Sequence, residues 1–128
     1  MNNKEGKIVE NLFKKLVKSC LLEFPKIGYT EVIGVPSEQG VYIIFNNKGV
    51  VVHVGRTQRG QNGLRQRLNN HLLGQSSFAE SFLNGEGSQL RHGRYKFKYL
   101  VIGNSRERAL VEALAIGKLC PKHLGLGE

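Results

Sequence analysis

A length of 128 residues corresponds to one ordinary domain and excludes two typical ones. Hydrophobic residues make up 40% and charged residues 23% of the chain, a balance that excludes the disordered and membrane-spanning classes. Nineteen Lys and Arg against ten Asp and Glu give a net charge of +9, which attracts polyanions such as nucleic acids. With no signal-peptide pattern, we expect a cytoplasmic protein without a membrane partner.

A basic amphipathic helix is predicted at the amino terminus, within residues 1–25. Apolar residues recur at helical spacing from Ile8 to Leu21, lysines occupy the other side, and Pro25 ends the pattern. Such a helix packs on a core or lies on a membrane surface, and core packing is the preferred interpretation.

A β-hairpin follows. Residues 41–45 and 50–54 are rich in β-branched side chains, and the intervening Asn46-Asn47-Lys48-Gly49 tolerates positive φ angles. The glycine-rich segment 56–63 then leads into a predicted helix at 64–73, where leucines at 64, 68 and 72 form one apolar stripe. Because Arg67 and His71 are four residues apart, they share a face of this helix.

The carboxyl-terminal third contains a strand and a helix, after a segment at 74–93 with a short helix around Phe78 to Leu83. Aromatic and basic side chains alternate over residues 94–102, which is the two-residue period of a strand. Asn104 followed by Glu107 predicts a cap for a helix at 105–119. The predicted fold is α/β, with a small three-stranded, largely antiparallel sheet flanked by helices and an extra N-terminal amphipathic helix, all in one domain.

Two tripeptides on the hairpin, Gly40-Val41-Tyr42 and His53-Val54-Gly55, resemble the two signature elements of the GIY-YIG nuclease family. Three further residues continue the resemblance in the family's order: Arg67, His71 and Glu112. The resemblance covers residues 38–124, which we expect to be the family-like core of the single domain 1–128.

The resemblance implies a metal-dependent endonuclease that hydrolyses DNA phosphodiesters. Tyr42 would activate or position the attacking water, although a phenol is a poor base unless its pKa is lowered. Arg67 would stabilise the charged transition state, and His71 would relay a proton near neutral pH. One carboxylate, Glu112, suits a hydrated Mg²⁺, with Mn²⁺ as a substitute.

Each candidate also has a structural interpretation. Tyr42 fits a core tyrosine, His71 a structural histidine, and Glu107 competes with Glu112 as the functional carboxylate. Two positions depart from the family: His53 replaces its second tyrosine but keeps a ring with a polar tip, and Leu124 replaces an asparagine. We expect His53 to share in catalysis.

Basic and amide side chains elsewhere are candidates for contacts to the nucleic-acid backbone. They are Arg56, Arg59, Arg65, Asn69, Lys96 and Lys98. DNA is the expected partner, RNA remains open, and both a monomer and a homodimer fit the sequence. The rival functions are a catalytically impaired nucleic-acid-binding domain on the same scaffold and a basic module that binds an acidic protein.

Overall fold

The computed structural model describes residues 3–24, 34–58 and 63–124. Within them the chain forms one sheet of four antiparallel strands in the order β1-β4-β2-β3, with five helices. The strands are β1 (Leu22–Glu23), β2 (Gly40–Phe45), β3 (Val51–Arg56) and β4 (Lys96–Val101). The helices are α1 (Lys4–Lys18), α2 (Gly63–Leu72), α3 (Ser77–Phe82), α4 (Gln89–His92) and α5 (Ser105–Leu119).

The predicted α/β class, the antiparallel sheet and the N-terminal helix are confirmed, but the strand count was wrong. The sequence predicted three strands, and the structure adds β1, which pairs with β4 at the edge of the sheet. Two residues are too few to show a two-residue alternation. The helix α4 was missed for the same reason, since four residues make one turn.

Helix α1 ends earlier than predicted. The apolar pattern runs on to Leu21, yet the helix ends at Lys18 because Ser19 turns to an extended conformation with ψ 165°. The Ser19 hydroxyl and backbone N–H both donate to the carbonyl oxygen of Leu16, at 2.7 and 3.2 Å, which satisfies a carbonyl at the helix end. The chain is thereby free to enter β1.

Helix α5 has the predicted bounds. Oδ1 of Asn104 accepts a hydrogen bond from the backbone N–H of Glu107 at 2.9 Å, as the sequence predicted. At the other end Cys120 adopts a left-handed conformation with φ 48°, which closes the helix. Among the described residues, no helix is both long and apolar enough to cross a bilayer.

A β-bulge in the hairpin sets the direction of His53. Phe45 pairs with Val51 and Ile44 pairs with His53, so Val52 is an extra residue in β3. Because of this extra residue, Val52 and His53 both face helices α2 and α3 instead of alternating. The bulge therefore directs the histidine to the same face as the ring of Tyr42.

The sheet is covered by a separate apolar core on each face. The core towards α2 and α3 includes Tyr42, Ile44, Val52, Leu64, Leu68, Leu72 and Phe78. The core towards α1 and α5 includes Leu16, Val41, Ile43, Val54, Val111 and Ala115. Successive residues of β2 enter different cores, so the strand that carries Tyr42 is packed on both faces.

Candidate active site

A chain of short hydrogen bonds links the hairpin to α2 and α3. Oη of Tyr42 lies 2.6 Å from Nε2 of His71, and Nδ1 of His71 lies 2.6 Å from Oγ of Ser76. Ser76 is the N-cap of α3, where its Oγ also accepts from the backbone N–H of Ala79. The leucine stripe of α2 buries that helix against the sheet, which brings His71 onto Tyr42.

Tyr42 is fully buried, and this controls its acidity. Burial raises the pKa of the phenol to about 12, the positive charge of nearby Arg67 opposes the rise, and the charge of Glu112 adds to it. The phenol is therefore neutral at physiological pH. Its hydroxyl can act in catalysis only by exchanging protons with a neighbour.

His71 is the neighbour with that capacity. Burial lowers its pKa well below the ordinary value, and the charges of His53, Arg67 and His123 lower it further. A neutral imidazole carries one N–H, so two proton arrangements fit the chain. If Nδ1–H donates to Ser76, then Nε2 accepts from Tyr42, and its lone pair is aligned with the tyrosine proton.

His53 lies beside this chain and is also buried. Its ring stacks on Phe78 with centroids 4.7 Å apart, and its Nδ1 lies 3.2 Å from Nδ1 of His123. Burial lowers the pKa of His53 to about 3, with further contributions from the charges of His123 and Arg67. The sequence prediction did not include His123 in the site. The backbone N–H of His123 donates to the carbonyl of Val52, and this hydrogen bond holds His123 next to β3.

A polar cavity of about 360 Å³ opens next to Arg67. Its lining consists of Arg56, Thr57, Gln58, Gly63, Gln66, Arg67 and Asn70. Arg67 therefore contributes to both the buried centre, through its charge on Tyr42, and the open cavity. The arrangement suits a charged group that is bound in the cavity and reacts next to the tyrosine.

Glu112 is a carboxylate paired with Arg56, a residue of the cavity wall. Its Oε1 accepts from Nε of Arg56 at 2.9 Å, and the two side chains are 24% and 30% exposed. Among the described residues no group of three or more His, Cys, Asp or Glu side chains could enclose a metal ion. A single, partly exposed carboxylate fits Mg²⁺, which binds through one or two carboxylates and keeps several waters.

A family comparison agrees with this geometry. The model of the GIY-YIG catalytic domain matches residues 38–123. The chain belongs to the GIY-YIG family. The resemblance read from the two tripeptides and their continuation is thus confirmed.

The chain is similar to a full-length bacterial protein and to a solved domain of it. UvrABC system protein C of Thermotoga maritima is 35% identical over 88 residues, which are 69% of this chain and 14% of that protein. The chain thus spans about one seventh of the length of that relative. A solved structure with a similar fold is the GIY-YIG N-terminal endonuclease domain of UvrC from Thermotoga maritima, bound to magnesium. Its sequence is 26% identical, and the TM-score is 0.48. The match covers 88% of this chain and 94% of that chain. A point mutant of that domain has the same identity and TM-score.

The predicted nucleic-acid contacts of this GIY-YIG chain fall in different places. Arg56 lines the cavity but pairs with Glu112, and Asn69 lies half-buried on α2. Nε of Arg65 donates to the carbonyl of Val35 at 2.9 Å. Arg59 lies outside the described residues.

Lys96 and Lys98 are not brought to the site. In β4 they pair with Phe45 and Ile43, whose side chains belong to the face covered by α1 and α5. Nζ of Lys98 donates to the carbonyl of Val17 at the end of α1 and lies 5.6 Å from the centre of the Phe45 ring. β4 turns both lysines to the face opposite the catalytic groups, and their contact with the nucleic-acid backbone stays a prediction.

Sequence reasoning missed Arg108, which holds the cavity wall. Its side chain is buried and donates to the carbonyls of Thr57 and Gln58 at 3.1 and 2.9 Å. It also donates to the carbonyls of Ile102 and Gly103, before α5. No signal in the sequence distinguishes it from its exposed neighbour Arg106, since both stand among charged residues at the start of a helix.

Proposed function

We propose that this chain is a metal-dependent endonuclease that hydrolyses phosphodiester bonds in DNA, with RNA as the second substrate class to test. The observation that carries the proposal is the hydrogen-bonded chain from Tyr42 through His71 to Ser76, next to a cavity lined by Arg67. Membership of a catalytic-domain family supports it. A buried tyrosine hydroxyl needs one partner, and here that partner, His71, is itself oriented by Ser76.

In this proposal the tyrosine relays a proton. The attacking water donates an O–H to Oη of Tyr42, while the tyrosine passes its own proton to Nε2 of His71. The relay avoids a free phenolate, which the pKa of about 12 disfavours. Ser76 holds the imidazole by accepting from Nδ1–H, so Nε2 stays aimed at the hydroxyl.

Arg67 stabilises the phosphate as its negative charge increases. Its guanidinium is permanently charged and presents a planar fork of donors that matches two phosphate oxygens. Because its charge already acts on Tyr42, a phosphate bound there would lie close to the water-activating group. Preorganised positive charge of this kind is worth most in a site shielded from solvent.

Glu112 is the residue that would hold the metal ion, Mg²⁺ or in its place Mn²⁺. When bound, the cation supplies Lewis-acid stabilisation of the charge on the phosphate. Arg56, which lines the cavity, pairs with this carboxylate at 2.9 Å.

The same ion pair favours a second candidate function. If Arg56 keeps Glu112 from binding a cation, the domain would bind nucleic acid without cutting it. Incubation of labelled DNA with Mg²⁺, with and without EDTA, separates the two functions. Mg²⁺-dependent cutting supports the nuclease, whereas binding without cutting supports the second function.

Two substitutions test the proposed site. Arg67→Ala and Glu112→Ala should abolish cutting while circular dichroism shows a folded protein, because each removes charge from the site and neither empties a core. Glu107→Ala, in the first turn of the same helix as Glu112, is the matched control and should cut normally. Retention of the wild-type rate by either site variant would refute the proposed site.

A further inference from the structure

His53 and His123 form a buried pair that the proposed mechanism leaves unused. Their Nδ1 atoms are 3.2 Å apart, and the residues are only 4% and 8% exposed. Phe78 packs against both rings, stacked on His53 and edge-on to His123 with centroids 5.5 Å apart. Since a neutral imidazole has one N–H, a single proton lies between the two Nδ1 atoms.

The other ring nitrogen of His53 faces the tyrosine. Nε2 is buried and has no hydrogen-bond partner among the described residues. A Cβ atom added to Gly55 would clash with Oη of Tyr42 and would lie 3.1 Å from Nε2 of His53. The two polar atoms therefore border the same space beside the Cα atom of Gly55, which is too tight for any side chain at residue 55.

The direction of the bond between the histidines decides what Nε2 offers to that space. If His123 donates, Nε2 of His53 carries a hydrogen and is a buried donor without a partner. If His53 donates, Nε2 is a bare acceptor. A water beside Nε2 satisfies either form, but only the bare acceptor leaves both lone pairs of that water unoccupied, which favours His53 as the donor.

We infer that His123 is a positioning residue: it accepts from Nδ1–H of His53, so that Nε2 of His53 and Oη of Tyr42 hold the two hydrogens of one water. This arrangement leaves the lone pairs of the water directed away from both acceptors. The inference rests on the proposed function, because the choice of tautomer takes this water to be the nucleophile. His123 acts through His53, as the third group of a catalytic triad orients its base.

The test reads the tautomer of His53 directly. Long-range ¹H–¹⁵N correlation spectra of the ¹⁵N-labelled full chain should show the proton on Nδ1 and a bare Nε2. His123→Phe keeps a ring against Phe78 but removes the acceptor, so Nε2 of His53 should become protonated and cutting of labelled DNA should slow at least about tenfold. His123→Asn offers an oxygen acceptor and should restore the tautomer and most of the rate.

Lys122→Ala, at an exposed neighbouring side chain, is the control and should change neither readout. A wild-type protein with the proton of His53 on Nε2 would overturn the inference, as would an unchanged tautomer in His123→Phe. The wild-type spectrum needs no variant to fold and no substrate. If it shows the expected tautomer but the protein cuts no nucleic acid, the pairing stands and the proposed function fails.

Discussion

Tyr42 combines an acidic group with a site that keeps it protonated. Its pKa of about 12 means that the hydroxyl, 2.6 Å from Nε2 of His71, is a proton carrier at pH 7 and not a base in its own right. The ring packs in the core and the hydroxyl performs the chemistry. The two contributions can therefore be separated by a substitution that removes one oxygen atom.

Tyr42→Phe makes that substitution. We expect the single-turnover cutting rate to fall by roughly 10²- to 10⁴-fold, the range that general acid–base groups contribute. The free energy of unfolding should fall by about 1–3 kcal/mol, because Nε2 of His71 loses its partner. Urea titration and a quenched-flow assay measure the two quantities. An unaffected rate would remove Tyr42 from the mechanism.

The buried histidines make stability depend on pH. In the folded protein the pKa of His53 is lowered to about 3, and that of His71 is also far below its ordinary value of 6.5. Below pH 6.5 the unfolded chain takes up protons that the folded chain does not, so the free energy of unfolding falls as pH falls. For His53 this loss continues down to about pH 3, at about 1.4 kcal/mol per pH unit.

Urea unfolding at pH 7.5, 6 and 5 should therefore show decreasing stability. His53→Phe keeps a ring on Phe78 but cannot take up a proton when unfolded, so its stability should change less between pH 6 and 5. Equal slopes for the variant and the wild-type chain would contradict the assignment of the pH dependence to His53.

Local signals predicted the elements whose residues act on near neighbours. Helix α5 was placed at its observed bounds from the cap formed by Asn104, which bonds to a group three residues away. The two residues of β1 could not be predicted, because pairing with β4 determines them. The end of α1 was missed because the apolar pattern runs past Ser19 to Leu21. The bulge at Val52 is likewise invisible in a run of β-branched residues, and strict alternation from Val51 would turn His53 to the wrong face.

In the candidate site, too, residues with a recognisable order in the sequence were predicted and residues with distant partners were not. Tyr42, Arg67 and His71 were found because they follow one another in a known order on the hairpin and α2. His123 was not, because its partner His53 is 70 residues away in the chain. Arg108 was missed since its partners Thr57 and Gln58 are also about 50 residues distant.

Arg108 ties the end of β3 to the start of α5. We expect Arg108→Met to lower the free energy of unfolding by about 2–4 kcal/mol, because four carbonyl oxygens lose a charged donor. Arg106→Ala, two residues earlier and exposed, is the matched control and should leave stability unchanged. Chemical denaturation measures both. Equal effects of the two substitutions would show that the buried hydrogen bonds of Arg108 do not stabilise the fold.

The positive charge is spread over the molecule, whereas packing joins its N-terminal helix to the rest. The net charge of +9 is carried by side chains on several surfaces, including lysines of α1 that lie far from Tyr42 along the chain. We propose that residues 1–128 nonetheless form one folding unit, because Leu16 of α1 is fully buried with Val111 and Ala115 of α5.

The charge predicts a salt-dependent affinity for DNA. Each phosphate that a basic side chain neutralises contributes a slope of about 0.9 to the fall of log K with log salt. A footprint of about four phosphates would weaken binding about a hundredfold between 50 and 200 mM salt. Fluorescence anisotropy at several salt concentrations measures the slope. A flat response would favour the third function, binding of an acidic protein.

The two cores on opposite faces of the sheet have a consequence for saturation mutagenesis. A library scored once for protein abundance and once for cutting should divide along the sheet. Substitutions in the core under α1 and α5 should lower both scores together, since the side chains of that core serve packing. Substitutions of Tyr42, His53 and His71 that keep a ring should lower cutting much more than abundance. Adjacent codons of β2 would then differ in which score falls more.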